Sequence, residues 1–136
     1  MKRKNIAIWA LFLLLLLTLV GCGSREEDAE NTASYQQITA EEAKSMMDEQ
    51  PDAVILDVRE QDEYDAGHIP GAVLLPVGTI NEETAASAIP KKDTVVLVYC
   101  RSGNRSKTAS QALADLGYTR IYEFGGIKDW PYEVEW

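Results

Sequence analysis

Cys100 is surrounded in the sequence by residues that would activate its thiol. It ends the apolar run 95–100, and Arg101, Gly103, Asn104 and Arg105 follow within five positions. Glycine and asparagine adopt backbone conformations that turn several N–H groups towards one anion, and the arginines add permanent positive charge. Such surroundings lower the pKa of a cysteine from its usual value of about 8.5. The spacing therefore predicts a nucleophilic thiolate in an anion-binding loop, rather than a cysteine buried only for packing.

The loop that carries Cys100 is predicted to join a buried strand to a helix. The run 95–100 is apolar and rich in valine, which is typical of a strand covered on both faces. From 106 to 116 apolar residues recur at helical spacing, and Gly117 supplies a stop. Such a loop lies at the carboxyl end of a parallel strand, which is where open α/β sheets bind ligands.

Strands and helices alternate along the rest of the chain. Thr39 and Glu42 predict a capping box at the start of one helix, and Thr79 and Glu82 predict the start of another. The glycine pair at 125–126 is predicted to form a tight turn after the last strand. The predicted strands cover residues 35–38, 53–56, 72–75, 95–100 and 118–124. This alternation indicates an α/β fold with a mostly parallel central sheet flanked by helices.

Four motifs of the chain resemble those of the rhodanese family of single-domain sulfurtransferases. The run Cys-Arg-Ser-Gly-Asn-Arg-Ser at 100–106 is similar to the active-site loop of that family. Leu-Asp-Val-Arg at 56–59 resembles its strand-end segment, and Glu-Tyr-Asp-Ala-Gly-His-Ile-Pro-Gly-Ala at 63–72 resembles its signature. Gly-Gly-Ile-Lys-Asp-Trp at 125–130 resembles its C-terminal glycine pair and tryptophan. The motifs occur in the family's order and together span roughly residues 37–130.

The resemblance implies a three-layer rhodanese-like sandwich and a sulfurtransferase that uses neither a cofactor nor a metal. Cys100 would carry a sulfane sulfur as a persulfide. The sulfur would come from a small anionic donor such as thiosulfate and pass to cyanide or to a thiol, including the thiol of a partner protein. The loop residues implied to bind the donor are Arg101, Ser102, Gly103, Asn104 and Arg105.

Four polar residues near two of these motifs are predicted to support the site. They are Asp57, Arg59, Glu63 and His68. Asp57 and Arg59 follow a buried strand, so their charges need partners. We expect the four side chains to form a hydrogen-bonded network that fixes the loops beside Cys100. His68, the only histidine, lies in a Gly-His-Ile-Pro-Gly turn and is interpreted as a brace rather than a general base.

Two other functions are compatible with a cysteine in such a loop. Cysteine phosphatases and arsenate reductases also place a thiolate before a helix, but a phosphate loop needs five residues between cysteine and arginine. Position 106 is serine, and Arg105 closes a loop that is one residue shorter, which favours a single sulfur atom over a phosphate. A persulfide carrier without turnover, or a module that only binds a partner, stays open as an alternative.

The N-terminus has the pattern of a bacterial lipoprotein signal. Three cations at positions 2–4 precede an apolar run of about 15 residues, which is shorter than the roughly 20 residues of a membrane span. Leu-Val-Gly-Cys at 19–22 resembles the lipoprotein cleavage box, in which the cysteine is lipidated and becomes the mature N-terminus. The predicted organisation is a signal peptide at 1–21, a lipidated Cys22 with a flexible acidic tether at 22–34, and a rhodanese-like domain at 35–136.

These features predict a domain outside the cytoplasm, tied to the cell membrane by its lipid. The net charge of the chain is −9, and loss of the three N-terminal cations would change it to −12. Such an acidic chain lacks the clustered positive charge that nucleic acid binding requires. The charge therefore predicts no nucleic acid partner. We expect a monomer whose partners are small anionic sulfur donors and thiol or cyanide acceptors.

Overall fold

The computed structural model describes residues 32–136 and contains alternating strands and helices. The strands are β1 (Gln36–Gln37), β2 (Val54–Asp57), β3 (Val73–Leu74), β4 (Val96–Cys100) and β5 (Ile121–Gly126). The helices are α1 (Ala40–Glu49), α2 (Gln61–Asp65), α3 (Glu82–Ala88) and α4 (Asn104–Asp115). The strands form one sheet in the order β1, β5, β4, β2, β3, and every pairing is parallel. The predicted α/β fold with a mostly parallel sheet is therefore confirmed.

The sheet separates two apolar clusters, and β4 contributes to both. All five residues of β4 are buried, as expected for a strand covered on both faces. Val98 and Cys100 pack in one cluster with Leu113 of α4 and Ala85 of α3. The alternate residues of β4 pack in the other cluster, together with Ala43 of α1. Helices thus cover both faces of the sheet, which gives the predicted three layers.

The helix starts follow from capping side chains, one of which differs from the prediction. The capping box of Thr39 and Glu42 is confirmed at the start of α1. At α3 the cap is Asn81 rather than Thr79, because Oδ1 of Asn81 accepts hydrogen bonds from two N–H groups of the first turn. The hydroxyl of Thr79 instead donates to the carbonyl of Pro76 within a short 3-10 turn.

The glycine pair at 125–126 ends β5 and is not the tight turn that the sequence predicts. Gly126 pairs with Cys100 in the β4–β5 ladder, after a shift of register that follows Val98. The chain turns only afterwards, in the 3-10 segment Ile127–Asp129. The strand therefore continues until it lies beside the cysteine.

The predicted signal peptide, the lipidation site Cys22 and most of the tether lie outside the described residues. Ala33, near the end of the predicted tether, already packs against the core, and its carbonyl accepts a hydrogen bond from Gln111. Within residues 32–136, none of the helices has the length and apolar character that crossing a membrane requires.

Candidate active site

A loop of three residues leads from Cys100 at the end of β4 into α4. The sequence pattern predicts a helix from residue 106, but α4 begins at Asn104. Gly103 precedes the helix with a φ of +103°, a left-handed conformation that glycine adopts without strain. The early start places Arg105 and Ser106 in the first helical turn. The positive end of the helix dipole therefore lies next to the cysteine.

The surroundings of Cys100 favour the thiolate although the residue is almost fully buried, with 1% exposure. The N–H group of Gly103 donates to Sγ over 3.0 Å, and Oγ of Ser106 lies 3.4 Å from Sγ. Burial raises the pKa of the thiol, but hydrogen bonds from the Ser106 hydroxyl and from the N–H groups of Ser106, Gly103 and Ser102 outweigh it. The pKa of Cys100 is therefore lowered below its ordinary value.

Gly126 lies directly against the backbone of the Cys100 loop. A Cβ atom at this position would lie 1.9 Å from the carbonyl oxygen of Arg101, so a larger residue does not fit without moving the loop. The N–H group of Lys128 donates to the same carbonyl over 3.2 Å. The position of the cysteine thus depends on close contact between its loop and the end of β5.

Two buried polar residues outside the predicted set complete the site. Ser106 is fully buried, and its hydroxyl donates to Oε1 of Glu123 over 2.6 Å. Glu123 is 3% exposed, and the same oxygen accepts from the N–H group of Gly125 over 2.8 Å. The one sequence signal for Glu123 is a carboxylate within the otherwise apolar segment 121–124.

Arg105, a predicted donor-binding residue, forms a two-point ion pair with Glu63 of α2. Its Nη1 and Nη2 atoms donate to the two carboxylate oxygens over 2.7 and 2.8 Å. The hydrogen bonds from Arg105 are the main reason that the pKa of Glu63 is lowered to about 2. Arg105 therefore shares its charge with Glu63, and its contact with a donor stays a prediction.

Asp57 and Arg59 form a buried network with Tyr99. The carboxylate of Asp57 accepts from Nε and Nη2 of Arg59 over 2.9 and 2.6 Å, and from the Tyr99 hydroxyl over 2.6 Å. Burial, together with the bond to Asp57, raises the pKa of Tyr99, so its hydroxyl stays a donor. Nη2 of Arg59 also donates to the carbonyl of Gly67 over 2.7 Å. The network thereby ties the ends of β2 and β4 to the loop that follows α2.

His68 contacts the neighbouring loop and the C-terminal segment. Its Nδ1 atom lies 2.8 Å from the carbonyl oxygen of Tyr64, and its ring stacks on the Tyr64 ring at 3.7 Å between centroids. Its Nε2 atom lies 3.3 Å from the Glu135 carboxylate. Among the described residues, the polar contacts of the imidazole are thus with Tyr64 and Glu135 rather than with Cys100.

The remaining predicted loop residues, Arg101, Ser102 and Asn104, lie on the exposed side of the loop. Arg101 borders an open cavity of about 530 Å³, and Lys128 and Trp130 also line it. In the described part of the chain, no group of histidine, cysteine or acidic side chains is arranged to hold a metal ion.

Comparison with known proteins gives concordant matches. The model of the rhodanese-like domain family matches residues 39–132. The chain is 38% identical over 74 residues to the thiosulfate sulfurtransferase PspE of Escherichia coli strain K12, over 54% of this chain and 70% of that protein. It is 32% identical to a tRNA uridine(34) hydroxylase of Erwinia tasmaniensis, and the match covers 92% of this chain and 39% of that protein.

A solved structure with the same fold is the rhodanese-like domain of the Anabaena protein Alr3790. It superimposes with a TM-score of 0.67 at 28% identity, over 75% of this chain and 80% of that domain. Several of the curated relatives are longer than this chain, which spans less than two thirds of their length. Because the family model matches well over half of the sequence, the chain belongs to the rhodanese-like domain family.

Proposed function

We propose that the chain is a sulfurtransferase that carries a sulfane sulfur as a persulfide on Cys100. Thiosulfate is the proposed donor, and cyanide or a thiol is the proposed acceptor. The observation that carries the proposal is the contact of 3.0 Å between Sγ and the Gly103 N–H group at the start of α4. PspE, a relative at 38% identity, is named a thiosulfate sulfurtransferase, which supports the same chemistry here.

The proposed reaction has two nucleophilic steps. The Cys100 thiolate attacks the outer sulfur of thiosulfate, so that a new S–S bond forms while the bond inside thiosulfate breaks. Sulfite leaves with the electron pair of the broken bond. The acceptor then attacks the outer sulfur of the persulfide, and the electron pair of that S–S bond returns to the Cys100 sulfur as a thiolate.

The short loop supports sulfur rather than phosphate as the group transferred. Only Arg101, Ser102 and Gly103 separate Cys100 from α4. A phosphate loop would need its arginine at position 106, which is serine, and the neighbouring Arg105 forms an ion pair with both carboxylate oxygens of Glu63. A cysteine phosphatase or arsenate reductase would need a guanidinium directed at the anion, so these activities are not favoured.

Persulfide carriage to a partner protein is the second candidate. Cys100 is only 1% exposed, so a bulky acceptor cannot approach Sγ itself. A persulfide extends the reactive atom by one S–S bond of about 2 Å. Cyanide or an extended thiol-containing segment would therefore fit better than a folded surface.

We also propose, from the N-terminal sequence alone, that Cys22 carries a lipid that anchors the chain at the outer face of the membrane.

Intact mass spectrometry of the purified protein tests loading and discharge. We expect thiosulfate to add the mass of one sulfur atom and cyanide to remove it with release of thiocyanate. Loading that is discharged by protein thiols but not by cyanide would favour the carrier. Cys100→Ser is the control, and sulfur retained on this variant after thiosulfate treatment would contradict the assignment of Cys100.

A further inference from the structure

Glu123 is a buried carboxylate that lies directly behind the cysteine loop. It is 3% exposed, and it sits on the face of β5 that packs against α4. Among the described residues it has no Lys, Arg or His side chain within ion-pair distance. Its Oε1 atom accepts instead from the Ser106 hydroxyl and from the Gly125 N–H group. Because an unpaired buried carboxylate is costly, this position calls for an explanation beyond packing.

Ser106 connects this carboxylate to the reactive sulfur. Its Oγ atom lies 3.4 Å from Sγ of Cys100 and 2.6 Å from Oε1 of Glu123. A serine hydroxyl carries a single proton. In the protonated form of Cys100, the Ser106 proton is donated to Glu123 and Oγ accepts from the thiol, whereas in the thiolate form an Oγ–H group donates to Sγ. The three side chains of the thiol form therefore make a continuous chain of hydrogen bonds in which Sγ–H donates to Oγ and Oγ–H donates to Oε1.

We propose that Cys100 and Glu123 exchange one proton during sulfur transfer, and that the hydroxyl of Ser106 relays it between the thiol and the buried carboxylate. This inference rests on the proposed function. As the donor binds, the Cys100 proton moves to Oγ of Ser106, and the Ser106 proton moves to Oε1 of Glu123. The resulting thiolate attacks the donor, and sulfite leaves with its electron pair. When the acceptor takes the outer sulfur, the Cys100 thiolate is regenerated and the proton returns along the same path.

In this scheme Ser106 touches the reacting sulfur, whereas Glu123 acts through Ser106 and is a positioning residue. Other charged groups lie on the elements that hold this unit. These are Arg101 in the loop, Arg105 of α4 with its partner Glu63 of α2, and the pair formed by Asp57 and Arg59 next to β4. Both pairs combine opposite charges, whereas Glu123 has no cationic partner among the described residues.

The pH dependence of Cys100 alkylation in the full chain tests the inference. The rate of reaction with iodoacetamide is followed on the Cys100 peptide for the wild type, Glu123→Gln, Ser106→Ala and the double variant. In Glu123→Gln the negative charge is gone, and the amide can donate to Oγ, so that the hydroxyl proton turns to Sγ. We expect the midpoint to move to lower pH, with alkylation about tenfold faster below the wild-type midpoint, which corresponds to one pKa unit.

The double variant separates proton sharing from simple repulsion between two charges. If the proton passes through Ser106, Glu123→Gln shifts the midpoint much less in the Ser106→Ala background than in the wild type. An equal shift in both backgrounds would overturn the role of Ser106. An unchanged midpoint in the single Glu123→Gln variant would overturn the coupling altogether.

Two further variants keep the test decisive if the first ones do not fold. Ser106→Thr and Ser106→Val introduce side chains of similar shape, but only threonine keeps the hydroxyl. Only Ser106→Thr should therefore preserve the response of the alkylation midpoint to Glu123→Gln. Glu123→Leu removes the carboxylate without adding an amide and should also lower the midpoint. Alkylation needs no sulfur donor. Its outcome is therefore independent of whether thiosulfate loads the protein, and failure of the proposed function would be recognised separately.

Discussion

The sulfur of Cys100 lies between a strand end, a helix start and a buried carboxylate. The groups that lower its pKa most directly are the Ser106 hydroxyl and backbone N–H groups, including that of Gly103 at 3.0 Å. Arg105, whose charge we expected to act on the thiol, is paired with Glu63. A backbone arrangement of this kind is fixed by the fold and needs no reorganisation when charge develops on sulfur.

At the residue scale, the lowered pKa of Cys100 predicts two linked pH profiles. Alkylation should titrate with a midpoint below the value of about 8.5 for a free cysteine. A pKa that is lower in the folded state contributes stability that is complete above the unfolded value and is lost as the pH falls through the folded value. The difference in free energy of unfolding between wild type and Cys100→Ser should therefore fall as the pH decreases from about 8.5 to the alkylation midpoint. An alkylation midpoint at or above 8.5 would mean that the loop does not activate its cysteine.

At the scale of elements, Glu63 and Arg105 link α2 to the first turn of α4. We expect Glu63→Gln to lower the free energy of unfolding by about 1–2 kcal/mol at neutral pH. This value lies between those of exposed ion pairs and those of charge-assisted hydrogen bonds. The pKa of Glu63 is lowered from 4.5 to about 2, so this stability should be present above pH 4.5 and lost as the pH falls towards 2.

Chemical denaturation of both proteins across this pH range measures the effect of Glu63. Lys44 and Asp48 form a more exposed ion pair on α1. Asp48→Asn is therefore the matched control, and it should lower the free energy of unfolding by less than Glu63→Gln does. A stability difference for Glu63→Gln that does not change between pH 6 and pH 2 would contradict the ion pair as its source.

The contact between β5 and the Cys100 loop gives a second prediction at this scale. In Gly126→Ala the new Cβ atom would meet the carbonyl oxygen of Arg101 at 1.9 Å, so the loop must move. We expect a loss of at least about 1–3 kcal/mol in stability, as for overpacked sites, and a loss of sulfur loading. Gly78→Ala is the control, because a Cβ atom there meets nothing within 4 Å. Normal loading by Gly126→Ala would show that the loop tolerates displacement.

At the scale of the whole molecule, the sequence predicts the layers of the fold and the cysteine loop better than it predicts the short elements and buried polar residues around the site. The valine-rich run before Cys100 is long enough to indicate a central strand, and the strand is fully buried. The helix α2 has five residues and no apolar repeat, so its pattern carries little signal. The sequence does not predict the burial of Glu123, because this burial depends on the position of β5 between β4 and the two-residue strand β1. No local sequence pattern reveals that strand order.

The attachment of the molecule to a membrane rests on Cys22 and supplies the last prediction. If the lipoprotein box is processed, the thiol of Cys22 is the site of acylation, and the mature chain keeps no other apolar segment of the signal. Cys22→Ala should therefore abolish incorporation of a labelled fatty acid and move the protein out of the membrane fraction. Cys100→Ser is the matched control: it removes the other cysteine of the chain and should keep both the label and the membrane location. Label that persists in Cys22→Ala would place the anchor at a different residue, whereas loss of label with unchanged fractionation would mean that the uncleaved segment 6–20 holds the chain at the membrane.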